Sequence, residues 1–102
     1  MVELAEAMTY LGIDYQDAVV TANVSRALAT AERVLRGAVG EDVETLLPGD
    51  PRAKELVLIY LDDLYSNRGL SAKVSGATRR LVQSMELQLR LELAALREVA
   101  AE

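Results

Sequence analysis

The side chains with the types and spacing to do chemistry are few: a carboxylate pair, Asp62-Asp63, and a basic run of Arg68, Lys73, Arg79, Arg80 and Arg90. Paired carboxylates offer oxygen ligands to a hard cation. Neighbouring residues on a helix point about 100° apart, however, so this pair is expected to be solvated, or ion-paired with Arg68, rather than to share a metal. The basic run is opposed only by Glu86 between residues 66 and 90, a local charge of +4. Such a stretch is a solvated face, a contact for an acidic partner, or a contact for DNA held in place by something else.

The rest of the catalytic repertoire is missing. The 102-residue chain has no Cys and no His, which removes disulfides, thiolate zinc sites, cysteine nucleophiles, the usual general base and the commonest metal ligand. It contains no glycine-rich phosphate loop and no G-x-S-x-G turn. We therefore expect neither an enzyme nor a cofactor. With 11 basic against 16 acidic side chains the net charge is −5, which argues against tight binding of nucleic acid by the isolated chain, because phosphate neutralisation supplies most non-specific affinity. The charge is uneven: residues 1–50 carry −6 and residues 51–102 carry +1. The longest apolar run, Leu56 to Leu61, is far short of the ~20 residues of a membrane span. The acidic start Met1-Val2-Glu3 is unlike a secretory leader. The expectation is a single domain over 1–102, made in the cytoplasm and without membrane contact.

The elements that must position these groups are helical. Four Tyr are the only aromatic residues and 51% of the chain is hydrophobic, so the core is built from Leu, Val, Ile, Met and Ala, which suits an all-α bundle of about four helices. Leu4, Ala7, Met8 and Leu11 fall at helical spacing over 3–11, with Gly12 as a stop. Asp14 then caps a second helix, with Asp17 three residues on near the positive end of its dipole. That helix runs over 16–38 on Val20, Val24, Ala27, Leu28, Ala31, Val34 and Leu35, and Gly37 and Gly40 end it. Residues 39–50 read as a loop. Asp50 at N-cap and Pro51 at N1 open a helix over 51–67, apolar nearly all round its middle and so central to the core. Tyr65 packs its ring against that core, and Asn67-Arg68-Gly69 closes the helix. Arg68 faces the negative helix end there, within reach of an upstream carboxylate. Ser71 to Gly76 is a linker in which Ser75 caps a fourth helix over 76–86, with Leu81, Val82 and Met85 inward and Arg79, Arg80 and Gln83 outward.

Residues 85–93 read two ways. They alternate apolar and polar without a fault, the period of a half-buried strand. Every one of them is also a good helix former and none is β-branched, and Leu81, Met85, Leu89, Leu93 and Leu96 make a helical stripe. As a helix the segment exposes Leu87 and Leu91; as an extended arm over about 86–93 it needs a strand partner from a neighbour. Both arrangements leave apolar surface for a partner. The candidate partner interface is therefore Arg79, Arg80, Leu87, Gln88, Leu89, Arg90 and Leu91, with Tyr65, Asn67 and Arg68 in a structural role. Residues 94–102 are helix-prone and frayed.

Four segments in order, Tyr10-Leu11-Gly12-Ile13-Asp14, Asp50-Pro51-Arg52-Ala53-Lys54, Asp63-Leu64-Tyr65-Ser66-Asn67-Arg68 and Gln88-Leu89-Arg90, resemble the phage head-tail connector family, whose members are also described as DNA-packaging or head-completion proteins. The likeness covers almost the whole chain and departs at Gly12, where relatives often carry Arg. It implies a small helical adaptor in the virion at the head-tail interface, assembled as a homo-oligomeric ring below the portal protein, prolonging the DNA channel and meeting a tail-side completion protein. It also implies only transient, non-specific contact with genomic DNA. A ring needs one face of a protomer to meet a different face of its neighbour, which unequal charge on the two halves favours. The alternative from a different class is a small helical DNA-binding regulator using Arg79 and Arg80.

Overall fold

The computed structural model describes residues 1–66 and 76–101, and among them every regular element is a helix. In chain order these are α1 (Leu4–Tyr10), α2 (Ala18–Val39), α3 (Val43–Leu46), α4 (Pro51–Ser66) and α5 (Gly76–Ala101). Asn67, Arg68 and the expected linker with its Ser75 cap lie outside the described residues.

Local chemistry sets each helix end. α1 stops in a Schellman turn: Ile13 N–H donates to Met8 O at 2.9 Å and Gly12 N–H to Thr9 O at 3.0 Å. Gly12 sits there at φ +75°, a region costly for any residue with a Cβ. α2 is capped by Asp17 and not by Asp14. The Asp17 carboxylate accepts from Val19 N–H at 2.9 Å and Val20 N–H at 3.1 Å, because the chain stays non-helical through Tyr15 and Gln16 and only Asp17 reaches the first free amides. α2 runs through Gly37 and ends at Gly40, whose φ of +143° takes the chain out of the helix. The stretch expected as a loop over 39–50 contains the single helical turn α3, which buries Val43. Asp50 and Pro51 open α4 as expected: Asp50 Oδ1 accepts from Arg52 N–H at 2.8 Å.

α2 and α4 form the most extensive helix contact among the described residues. They run antiparallel, since Leu64 and Tyr65 near the end of α4 lie beside Asn23, Ala27 and Thr30 in the first half of α2. Val24, Leu28, Ala31, Leu35 and Val39 of α2 interlock with Ala53, Leu56, Val57 and Leu61 of α4. Burying such side chains supplies roughly 1.5–3 kcal/mol each before entropy is counted. α1 and α5 each contact both members of this pair. Arg52 and Lys54, two residues apart on α4, point about 200° apart. Arg52 reaches Glu92 on α5, while Lys54 lies 3.7 Å from Glu6 on α1. The two outer helices therefore flank the α2–α4 pair on opposite sides.

The segment 85–93 is the middle of α5, continuous helix from Gly76 to Ala101, so the fourth helix extends well past the expected end at 86. The helical stripe carries its packing: Leu89 and Leu93 are fully buried, and Val82 and Met85 pack partly against the core. No strand exists among the described residues to pair with an extended arm, so a helix that satisfies its own amides is the structure adopted.

Candidate partner interface

α5 has two faces with different duties, and its inner one is held by polar contacts as well as by leucines. Arg97 grips Asp42, just before α3, through two hydrogen bonds of 2.7 and 2.6 Å. Arg90 donates to Ala38 O at 3.1 Å, satisfying a carbonyl in the last turn of α2 that has no partner within the helix. Arg52 grips Asp50 with both arms of its guanidinium, at 3.1 and 2.8 Å, and also donates to Glu92. These bonds hold the Asp42 and Asp50 carboxyls below their ordinary pKa, the Arg97 bonds being the main cause for Asp42 and the Arg52 bonds for Asp50. The three contacts made by α5 were not legible as a site in the sequence. Their members lie 40 to 55 residues apart and follow no local spacing.

Tyr60 points into the seam between α4 and α5. Among the described residues its buried hydroxyl has no partner in hydrogen-bonding geometry. Burial first, and then the nearby Glu86 carboxylate, raise its pKa well above the ordinary tyrosine value. The phenol is therefore neutral at any physiological pH.

The residues nominated from sequence divide sharply. Leu89 is 0% exposed and belongs to the core, so it is not a partner contact: on a helix it points about 200° away from Leu87 and Leu91, rather than sharing their face as it would in a strand. Leu87 and Leu91 are 49% and 63% exposed on the outer face of α5. Leu81 and Val99 are also largely exposed, which Leu81's expected inward position did not anticipate. Gln88 is exposed and within 3.4 Å of Ser84 Oγ. Arg79 and Arg80 are exposed at the start of the helix, Arg79 beside Ile59, Tyr60 and Asp63. Arg90 is exposed but committed to the Ala38 carbonyl. Tyr65 is half-buried against the core and lines a shallow pocket with Ala27 and Leu64, in keeping with its expected packing. Asn67 and Arg68 fall outside the described residues. Asp62 and Asp63 are both exposed on α4, and among the described residues no three His, Cys, Asp or Glu side chains converge as a metal site.

A second open face lies across the molecule. Leu4, Ala5 and Met8 of α1 and Ala18, Thr21 and Ala22 of α2 line a broad groove with Tyr15 at its edge. Tyr15 and the nearby Val19 are more than half exposed. The small residues Ala5, Ala18 and Ala22 keep the groove open, a role beyond the helix propensity that alanine brings to any helix. Comparison finds no matching family model, no matching curated protein and no matching solved structure. No helix among the described residues is long and apolar enough to cross a membrane.

Proposed function

We propose that the chain is a structural adaptor of a tailed phage or prophage, assembling as a ring below the portal protein, where it prolongs the DNA channel and docks a tail-side completion protein. The observation that supports this is the pair of apolar faces on opposite sides of the α2–α4 core: the α1–α2 groove with Tyr15 at its edge, and the outer side of α5 with Leu87 and Leu91. Exposed apolar side chains that group on one face mark sites of protein contact. A protomer inside a larger assembly needs at least two contact surfaces, and a head-to-tail ring needs two different ones. The ordered resemblance of the four sequence segments supplies the phage context. In that setting the acidic balance keeps DNA contact transient, because a channel that gripped phosphates would hinder genome movement.

The test is co-sedimentation of the purified protein with portal rings encoded by the same genome, with electron microscopy of the product. The expected result is a ring seated on the portal, lost on Tyr15→Asp, a substitution at an exposed position on the edge of the groove that leaves the fold intact. Failure to associate at any ratio overturns the adaptor role. Submicromolar, salt-dependent binding of the free protein to duplex DNA would instead favour a regulator working through the exposed Arg79 and Arg80.

A further inference from the structure

One stripe of α5 has the shape and charge to fill a groove. Arg80, Leu87, Leu91, Ala94 and Glu98 fall within about 30° either side of one line along the helix. All five are exposed, and Leu87 and Leu91 form a ridge in the middle. The charges stand at the ends, Arg80 about 10 Å before Leu87 and Glu98 about 10 Å beyond Leu91. The α1–α2 groove is the counterpart. Its α2 wall is made of small side chains, among them Ala18, Ala22 and Ser25, with Leu4 and Met8 lining it from α1 and Asp17 at one end. Beyond the other end α2 presents Arg33, exposed and eleven residues after Ala22, which is three turns plus about 20° and so nearly the same line. The adjacent Glu32 is taken by the Met1 amino group at 3.4 Å.

We propose that the groove of one chain receives this stripe from a second copy, with the incoming α5 parallel to the α2 that holds it. Glu98 follows Leu87 by eleven residues, the same interval that separates Arg33 from Ala22. Seating the partner's Leu87 on Ala22 therefore brings the partner's Glu98 level with Arg33 and the partner's Arg80 to the Asp17 end. The partner's Leu91 then lies beside Ser25, large side chains against small ones, as ridges fit grooves between packed helices. The charges fix the direction: a reversed α5 sets Glu98 beside Asp17 and Arg80 beside Arg33, like signs at both ends. The two surfaces differ, so each chain that fills a groove still offers its own, and the contact propagates from chain to chain instead of closing at two. The seat of α5 on its own core is untouched, since that grip runs through Arg90, Glu92 and Arg97. The junction rests on the adaptor reading and names the surfaces that join neighbouring protomers there.

The chain has no cysteine, so introduced thiols report single contacts. Ala22→Cys and Leu87→Cys, carried by separate chains, are mixed free in solution and on portal rings, treated with a short bis-maleimide and run on a denaturing gel. Both positions are exposed, so helical circular dichroism is expected to be unchanged. The mixture is expected to give a two-chain product, neither variant alone any product, and a chain carrying both thiols a ladder. Moving the α5 thiol to Leu81, about 120° round the helix, should abolish the product. Arg33→Glu in the groove-bearing chain should slow crosslinking about three- to tenfold, and Glu98→Arg in the other chain should restore it. No product from the mixture in either setting, product from Leu87→Cys alone, or indifference to Arg33→Glu each overturns the junction. Rings on the portal without the product overturn the junction alone, and the product without any seating on portal rings overturns the adaptor role alone.

Discussion

Replacing Leu89 and Leu91 by alanine, one at a time, separates the two faces of α5 with identical chemistry. Leu89 is 0% exposed and Leu91 63% exposed, although only one residue stands between them. Leu→Ala removes about three carbons. At Leu89 the transfer loss is roughly 2.4 kcal/mol at ~0.8 kcal/mol per carbon, and the cavity left among Leu93, Leu56 and their neighbours raises the total into the range of about 2–5 kcal/mol. For a domain of this length ~3 kcal/mol corresponds to a fall in melting temperature of about 12–20 °C. At Leu91 the same truncation removes no buried contact within the chain and places the best helix former on an exposed face, so the change is expected to stay within about 0.5 kcal/mol. Urea melts followed by circular dichroism measure both, at low protein concentration so that self-association does not add to apparent stability. An extended segment puts both leucines on one face and predicts equal effects. Equal losses at the two positions would refute the helical assignment and the two-faced account of α5 built on it.

Three further outcomes are expected. Gly37→Ala, at a helical position with no heavy atom within 4 Å of the added Cβ, should stabilise by roughly 0.5–1 kcal/mol, while Gly40→Ala should destabilise by about 1–3 kcal/mol, because its φ of +143° suits glycine alone and the new Cβ runs into Arg97 and crowds Asp42. Thermal melts of the two variants should shift in opposite directions. Asp17→Ala should cost ~1 kcal/mol by uncapping α2, and Asp14→Ala close to nothing, measured by the same melts. Stability should fall in acid: the folded pKa values of Asp42 and Asp50 are depressed below the ordinary 3.8, so their contribution is complete above that value and disappears as pH falls through the folded values. Arg97→Gln combined with Arg52→Gln should flatten that acid limb, and an unchanged pH profile would show that the two arginines do not stabilise the Asp42 and Asp50 carboxylates.

Elements defined by local chemistry were legible before any coordinates. Gly12 ends α1, Asp50 and Pro51 start α4, and the valine and leucine stripe of α2 needs only helical spacing to be seen. Asp14 and Asp17 show the limit of that legibility: both are good caps, and which one acts depends on how the chain leaves α1, beyond the reach of spacing. The one-turn α3 is too short to display a period, and α2 continues through Gly37 because packing of Leu35 and Val39 outweighs a glycine's helix penalty. Over 85–93 nine residues fit a period of two and a helical period equally well. The choice is made by what surrounds the segment, a helical core with a leucine-lined seam and, among the described residues, no strand to pair with. The same ambiguity placed Leu89 among the partner contacts, since alternation puts it with Leu87 and Leu91 and only the helix turns it inward.

The arginine contacts that seat α5 carry a kinetic consequence. Arg90 to Ala38 O and Arg97 to Asp42 join residues 52 and 55 positions apart, across the whole of the intervening α4, whereas the α2–α4 hairpin joins helices that follow one another through the turn around α3. Loop-closure entropy makes a hairpin of successive helices the cheaper structure to form first, so the Arg90 and Arg97 contacts back to Ala38 and Asp42 come late on the folding path. Interactions made after the rate-limiting barrier slow unfolding without hastening folding. Arg97→Ala should accordingly steepen the loss of the native state in stopped-flow measurements while refolding keeps its pace, and the clamp sets how long a folded chain persists more than how quickly it arises.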